Sequence, residues 1–257
     1  MKFILTSDNH YMVRDSILQT RFFKKLQTDV ENDPEIKFIV FAGDQSSSQL
    51  SELSLYFHLF REILPDLPAY WVKGNHDFWD KKHVGSLGEV LEIHDKLCKD
   101  YDIKHLDAEK VVIPYRDEIL HEDKTLALFG FDGWYGNTNP PTNDISYMRY
   151  KMNGDQLPIL HHMYNKAKND FQKVLDLRES CEADTRVLLT HFPSFSDAPL
   201  VWGTMCANFD MLNPILSNFD IYLVGHSHQH VVDKRGDCRI FNCGSDYSDP
   251  KYMVIEV

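Results

Sequence analysis

Short apolar runs alternate with amphipathic stretches along most of the chain, and that alternation predicts strands and helices in turn. Lys2 to Thr6, Lys37 to Ala42 and Ala69 to Val72 read as buried strands. Between them, Leu18, Phe22 and Leu26 fall four apart. Leu50, Leu53, Phe57, Phe60 and Leu64 recur at three- and four-residue steps, the stripe of a helix that Pro65 ends. A third helix carries Leu87, Val90, Leu91, His94 and Leu97.

The pattern then changes. Ile103 to Leu106, Val111 to Tyr115 and Thr125 to Phe131 are strand-like with no helical stretch between them, which predicts an antiparallel segment or a second sheet. Residues 133–154 are rich in Gly, Asn, Pro and Tyr and lack periodicity, so a loop-rich insertion or lid is expected there. A helix over about Ile159 to Leu177 follows, supported by Leu160, Met163, Ala167, Phe171 and Val174. Strands at Arg186 to Thr190, Asp220 to Val224, Cys238 to Asn242 and Tyr252 to Val257 complete an α/β chain. No internal repeat or linker interrupts it, and a single domain over residues 1–257 is expected.

Composition narrows the class. At 257 residues and 43% hydrophobic content the chain can bury a full core. Its five cysteines are odd in number and include no CxxC pair, so neither a disulfide framework nor a zinc–thiolate site is indicated. The N-terminus starts directly on a strand without a cleavable apolar stretch, and no run approaches the ~18 apolar residues of a membrane span. A soluble, cytoplasmic protein is expected. The net charge of −12 repels a phosphate backbone, which disfavours long nucleic acid as a partner. Nothing in the sequence sets the oligomeric state.

Chemistry gathers at the strand ends. Asp8-Asn9-His10, Gly43-Asp44, Gly74-Asn75-His76-Asp77, His191 and Gly225-His226-Ser227-His228 each follow an apolar run. Strands lying side by side in an α/β sheet would bring all of these residues to one rim, where such folds bind ligands. The donors are oxygen and imidazole without sulfur, a set suited to two divalent cations and to metal-assisted hydrolysis.

Each motif has a plainer reading beside the chemical one. Asp8 and His10 sit two apart on an extended run, so both side chains could chelate one ion; an Asx turn with a surface histidine is the alternative. Asp44 could bridge two ions, or cap the helix that follows Ser46, Ser47 and Ser48. Asn75 offers a neutral oxygen, His76 could reach a substrate oxygen, and Asp77 could hold the other nitrogen of that imidazole. His226 and His228, again on one side of an extended chain, could each serve one ion. His230 shares their parity but reads better as a partly exposed histidine.

Taken together and in this order, Asp8-x-His10, Gly43-Asp44, Gly74-Asn75-His76-Asp77, His191 and Gly225-His226-x-His228 resemble the five motifs of the calcineurin-like metallophosphoesterase superfamily, over residues 8 to 228. The resemblance implies a four-layer α/β/β/α sandwich, two mixed β-sheets flanked by helices, with a dinuclear metal centre at one end. It implies Asp8, His10 and His228 around one ion, Asn75, His191 and His226 around the other, and Asp44 bridging both. His76 matches the catalytic histidine and Asp77 its orienting partner. The implied activity is hydrolysis of a phosphodiester or phosphomonoester by attack of a metal-bridging hydroxide. Mn2+ is the leading candidate, with Fe, Zn2+ or Ni2+ as alternatives.

Departures from the superfamily patterns narrow the substrate. The second motif continues Gln45-Ser46-Ser47-Ser48-Gln49 and lacks the arginine that protein phosphatases carry there. A small phosphoester, a nucleotide among the candidates, is the expected substrate. A nuclease of the same superfamily and a catalytically silent metal-binding scaffold are the alternatives. Phe78, Trp79, Trp134, Tyr135, Tyr147, Phe195 and Trp202 fall in loops beside the motifs and could stack a base or cover an apolar leaving group, although such aromatics are more often core anchors. Arg149 in the insertion is a candidate for phosphate contact, although a solvated surface role is the commoner one for such a residue.

Overall fold

A computed structural model of the chain describes residues 1–47, 49–79, 87–135, 157–194, 209–247 and 249–257. Strands β1 (Lys2–Thr6), β2 (Ile36–Ala42), β3 (Ala69–Val72) and β4 (Ile103–His105) run parallel. The last strand, β11 (Met253–Glu256), adds antiparallel to β1 and completes a mixed sheet in the order β11-β1-β2-β3-β4. A second mixed sheet has the order β5-β6-β7-β8-β10-β9. Its strands are β5 (Glu109–Asp117), β6 (Glu122–Gly130), β7 (Thr185–Leu189), β8 (Ile221–Leu223), β9 (His230–Arg235) and β10 (Cys238–Cys243).

The period-two alternation of strand side chains builds three apolar layers. Phe3, Leu5, Phe38, Val40 and Ala42 of the first sheet meet Leu126, Leu128, Val187, Leu189, Ile221 and Leu223 of the second. Their neighbours Ile4, Ile39 and Phe41 point the other way, against helices α1 (Ser16–Asn32), α2 (Leu50–Ile63) and α3 (Leu87–Asp100). Ala127, Phe129, Leu188 and Tyr222 pack on helices α4 (Leu157–Glu179) and α5 (Leu212–Asn218). The expected α/β/β/α sandwich of two mixed sheets flanked by helices is therefore the fold.

Register levels the strand ends. Thr6 pairs with Phe41, Ala42 with Val72, Gly130 with Leu189, and Leu189 with Leu223. The residues after each of these strands consequently leave from the same rim, and the rim carries every motif named above.

Most predicted elements lie within one to four residues of the observed ones at each end. Two elements escaped the sequence pattern. Strand β9 is an edge strand of alternating exposure with only Val231 and Val232 as apolar residues, and α5 is seven residues long with Pro214 inside it. The α1 stripe also shifts: Phe22, Phe23, Leu26 and Gln19 are buried, whereas Leu18 is exposed. Of the expected insertion, only Gly133 to Tyr135 is described, and residues 136–154 lie outside the described residues.

Candidate metal centre

The rim loops do not continue the extended strand geometry on which the parity argument rested. Asp8, His10, Asp44, His226 and His228 all adopt positive φ, between 43° and 66°. Left-handed backbone is disfavoured for side chains other than glycine, and such strain concentrates where a site holds its residues in place. The parity reasoning for Asp8/His10 and His226/His228 is thus corrected: successive left-handed turns, not a straight strand, bring their side chains together.

The seven expected metal donors converge. Around His191 Nε2 lie His226 Nδ1 at 3.2 Å, Asn75 Oδ1 at 3.3 Å and Asp44 Oδ2 at 3.4 Å. On the other side of Asp44, His10 Nε2 is 3.9 Å from the same Oδ2, 3.1 Å from His228 Nε2, and His228 Nε2 is 3.7 Å from Asp8 Oδ1. Asp44 therefore stands between two clusters, one of Asp8, His10 and His228, the other of Asn75, His191 and His226. Asp8, His10, Asp44 and His191 are almost wholly sequestered from solvent. His10 as a surface histidine and Asp44 as a helix cap are both excluded, since His10 is buried and α2 is capped by Gln49.

The donor atoms fit divalent cations better than they fit each other. His191 donates its Nδ1–H to the Ala42 carbonyl at 2.7 Å, which leaves Nε2 as the nitrogen that takes a proton or a metal ion, facing another imidazole nitrogen and two oxygens. Burial lowers the proton affinity of His191, but Asp44 and Asp8 outweigh it and raise its pKa to about 9. Two buried carboxylates thus draw positive charge into the site, and a cation coordinated by these lone pairs answers that demand. Burial would raise the Asp44 pKa; the imidazoles of His191, His76 and His10 instead hold it well below the usual carboxylate range.

Close backbone approach requires glycine at two points. Gly43 has φ +85°, and a Cβ there would sit 2.4 Å from His191 Nδ1. A Cβ on Gly74 would sit 2.1 Å from Asp44 Oδ1.

His76 lines a cavity of about 240 Å³ with Asp44, Asn75, His226 and His228. Its Nδ1–H donates to the Ser47 carbonyl at 2.7 Å, so Nε2 carries the lone pair. Burial lowers its pKa, partly offset by Asp44. The expected pairing of His76 with Asp77 does not form. Asp77 instead accepts the backbone N–H groups of Asp44 at 2.8 Å, Gly74 at 2.9 Å and Gln45 at 3.2 Å. Sequence neighbours in the single 3-10 turn His76–Phe78 diverge, so one can face the cavity while the other turns to the loop backbone.

Phe78, Trp79, Trp134 and Tyr135 are buried in one apolar cluster rather than presented to a ligand. Tyr147, Phe195, Trp202 and Arg149 lie outside the described residues. His230 is exposed at the start of β9, as expected of a non-ligand. Sequence reasoning missed Asp246 and Tyr247, which line the cavity; they follow β10 at the same rim, so the strand-end rule could have reached them. Another carboxylate–histidine cluster, His105, Asp107 and Asp132, is compensated by lysines: Lys73 beside Asp132 at 3.5 Å and Lys166 beside Asp107 at 2.5 Å.

The fold is shared widely. A phosphopantetheinyl hydrolase from Mycobacterium tuberculosis superposes with a TM-score of 0.63 at 13% identity, covering 96% of this chain and 90% of that one. The calcineurin-like phosphoesterase YfkN from Bacillus subtilis gives 0.55 at 15% identity, covering 99% and 90%. A provisionally named 5′-nucleotidase from Staphylococcus aureus gives 0.59 at 13% identity over 99% of this chain, which spans only 50% of the nucleotidase. No curated protein sequence matches the chain. The family model for calcineurin-like phosphoesterases matches residues 1–230, and with the motif-bearing rim in place the chain belongs to the calcineurin-like phosphoesterase family.

Proposed function

We propose that this chain is a dinuclear metal-dependent phosphoesterase acting on a small phosphodiester or phosphomonoester. The observation that carries the reading is the pair of donor clusters on either side of Asp44, with imidazole nitrogens 3.1 and 3.2 Å apart within them. Asp8, His10 and His228 would hold one ion, Asn75, His191 and His226 the second, and Asp44 both. Two divalent cations there, with Mn2+ first among Fe, Zn2+ and Ni2+, supply a nucleophile at neutral pH and neutralise charge on the phosphoryl oxygens.

The chain's own groups do the rest. Asp44 places a carboxylate between the two cation positions, and its Oδ1 accepts the His76 backbone N–H at 2.8 Å, which ties the proton-transfer residue to the metal cradle. His76 presents Nε2 to the cavity while the Ser47 carbonyl fixes its ring. A bound phosphate anion raises the proton affinity of a neighbouring imidazole. His76 then holds a proton at Nε2 and passes it to the leaving oxygen. Asp77 acts through the backbone it holds.

The whole of 1–257 as one domain and a cytoplasmic setting belong to the same proposal, supported by the free cysteines 98, 181, 238 and 243. No helix among the described residues is long and apolar enough to cross a membrane. The net charge of −12 counts against a nuclease. A silent scaffold has no use for His76, which is held by Ser47 and Asp44 and faces the cavity.

The decisive experiment titrates metal-stripped protein with Mn2+ and assays p-nitrophenyl phosphate and bis-p-nitrophenyl phosphate. Two ions per chain with turnover of either ester are expected, and the ratio of the two rates assigns monoesterase or diesterase. Two bound ions without turnover would establish the scaffold, and failure to bind metal would end the proposal.

A further inference from the structure

Among the described residues, Tyr247 stands apart from the other aromatic side chains at the rim. Phe78, Trp79, Trp134 and Tyr135 are buried, whereas Tyr247 is 45% exposed and borders the same cavity as His76, Asn75 and Asp44. One face of its ring lies parallel to the His10 imidazole, with centroids 4.1 Å apart and planes 15° apart. The ring also lies 5.6 Å from His228, at 25°. A half-exposed phenol stacked over two candidate metal donors is an apolar surface at the mouth of a polar site.

The loop that carries it is tied down before any substrate arrives. Asp246 Oδ1 accepts the Tyr247 backbone N–H at 2.8 Å and lies 3.2 Å from His228 Nδ1. Asp246 and Asp249 exchange backbone hydrogen bonds at 3.3 and 2.9 Å, and Ser245 Oγ donates to the Lys251 carbonyl at 3.1 Å. One carboxylate therefore sets both the imidazole of a candidate ligand and the register of the ring beside it. Such prior ordering removes the entropic cost of arranging a platform at the moment of binding.

We infer that Tyr247, held by Asp246, is the specificity-determining surface on which the flat part of a leaving group rests, so that the site selects aryl or nucleoside phosphoesters over alkyl ones. The inference rests on the phosphoesterase reading above and names the substrate class of that site. Stacking suits it because every planar ring offers a π-face, and hydrogen-bond readout is not required. A ring that merely covered His10 would serve equally well as any bulky apolar side chain, and that difference makes the inference testable.

The test compares Tyr247→Leu and Tyr247→Phe with the unaltered, Mn2+-loaded full chain. For each, kcat/KM is measured for p-nitrophenyl phosphate against glycerol 2-phosphate, and for bis-p-nitrophenyl phosphate against glycerophosphocholine; intrinsic leaving-group differences cancel between variants. The aryl-to-alkyl ratio is expected to fall about tenfold in Tyr247→Leu, the scale of one lost stacking contact, and to hold in Tyr247→Phe. A ratio unchanged in Tyr247→Leu would overturn the inference, even if both rates fell. A second arm needs no turnover: calorimetric titration with adenosine 5′-monophosphate and with ribose 5-phosphate. The leucine variant should lose its preference for the nucleotide. Should the unaltered chain hydrolyse none of the esters, the phosphoesterase reading fails, and this binding arm still decides the platform, with equal nucleotide affinity in both proteins counting against it.

Discussion

Asp77 accepts the backbone N–H of Asp44 at 2.8 Å, so the carboxylate next to His76 in sequence holds the loop that carries Asp44 rather than the histidine. The same carboxylate takes the N–H groups of Gly74 and Gln45. Those three donors converge because the loops after β2 and β3 leave the sheet side by side, and buried N–H groups need partners. Burial and the nearby Asp44 charge push the Asp77 pKa up, and the backbone donors pull against them.

Removing this anchor should damage the cradle before the chemistry. Asp77→Ala strands the buried N–H groups of Asp44, Gly74 and Gln45 and the longer contact from Ser46 at 3.5 Å, each full bond worth roughly 1–3 kcal/mol when left unpaired, so a loss of several kcal/mol in urea unfolding is expected together with lost metal content. Asp77→Asn, which keeps one acceptor oxygen, should fall between. An Asp77→Ala protein that kept full stability and two ions would show that the loop does not depend on this carboxylate.

Gly74 makes a narrower cut. Its φ is outside the left-handed region, so alanine adds no φ strain, but the new Cβ would overlap Asp44 Oδ1 at 2.1 Å and press on the Asp44 backbone nitrogen at 2.7 Å. Gly74→Ala is therefore expected to keep the fold and weaken metal binding by about 10–100-fold, the range for disturbed ligand orientation. Equilibrium dialysis against Mn2+ measures it, and undiminished affinity would mean that the carboxylate has room to move.

How far the site was legible in the sequence follows from which groups speak through side chains. The donor set stood out because each member follows an apolar strand run, and level registers such as Ala42 with Val72 bring those ends together. The backbone that joins them left no comparable trace: positive φ at Asp8, His10, Asp44, His226 and His228 is imposed by tertiary context. The partner of His76 was misassigned for the same reason, since the acceptor is the main-chain carbonyl of Ser47, which any residue would supply. Edge strand β9 was hidden by its charged residues Asp233, Lys234 and Arg235, which suit an edge and mask a strand pattern.

Asp132 offers a pH test outside the proposed donor set, at a carboxylate whose main chain touches that of His191. Its carboxylate accepts the Lys73 backbone N–H at 2.8 Å, pairs with His105 Nε2 at 2.8 Å, and its own carbonyl accepts the His191 N–H at 3.3 Å. Burial raises its pKa, but the Lys73 and His105 charges outweigh burial and hold it well below the usual carboxylate range. A depressed carboxyl contributes its stability fully above the unfolded value near 4 and loses it as pH falls below that, because only the unfolded chain then takes up the proton. The stability gap between the unaltered chain and Asp132→Asn should therefore be widest above about pH 5 and shrink towards pH 3. Urea unfolding across that interval reads the gap, and a gap independent of pH would contradict the ion-pair account.

His76 and Asp44 separate chemistry from cofactor. Asp44 stands between both donor clusters, 3.4 Å from His191 Nε2 and 3.9 Å from His10 Nε2, so Asp44→Asn would remove the charge proposed to balance two adjacent cations and should lose metal and turnover together. His76 meets the cradle through its backbone N–H on Asp44 Oδ1, which His76→Ala preserves, and through its ring, set edge-on to the His10 imidazole with centroids 4.4 Å apart. That variant is expected to bind two ions as before while kcat falls about 10²–10⁴-fold, the range for a lost proton-transfer group. Because protonation of a good leaving group matters little, the deficit should be smaller for p-nitrophenyl esters than for alkyl esters. Equal deficits for both would remove His76 from the leaving oxygen, and loss of metal in His76→Ala would return it to the cradle.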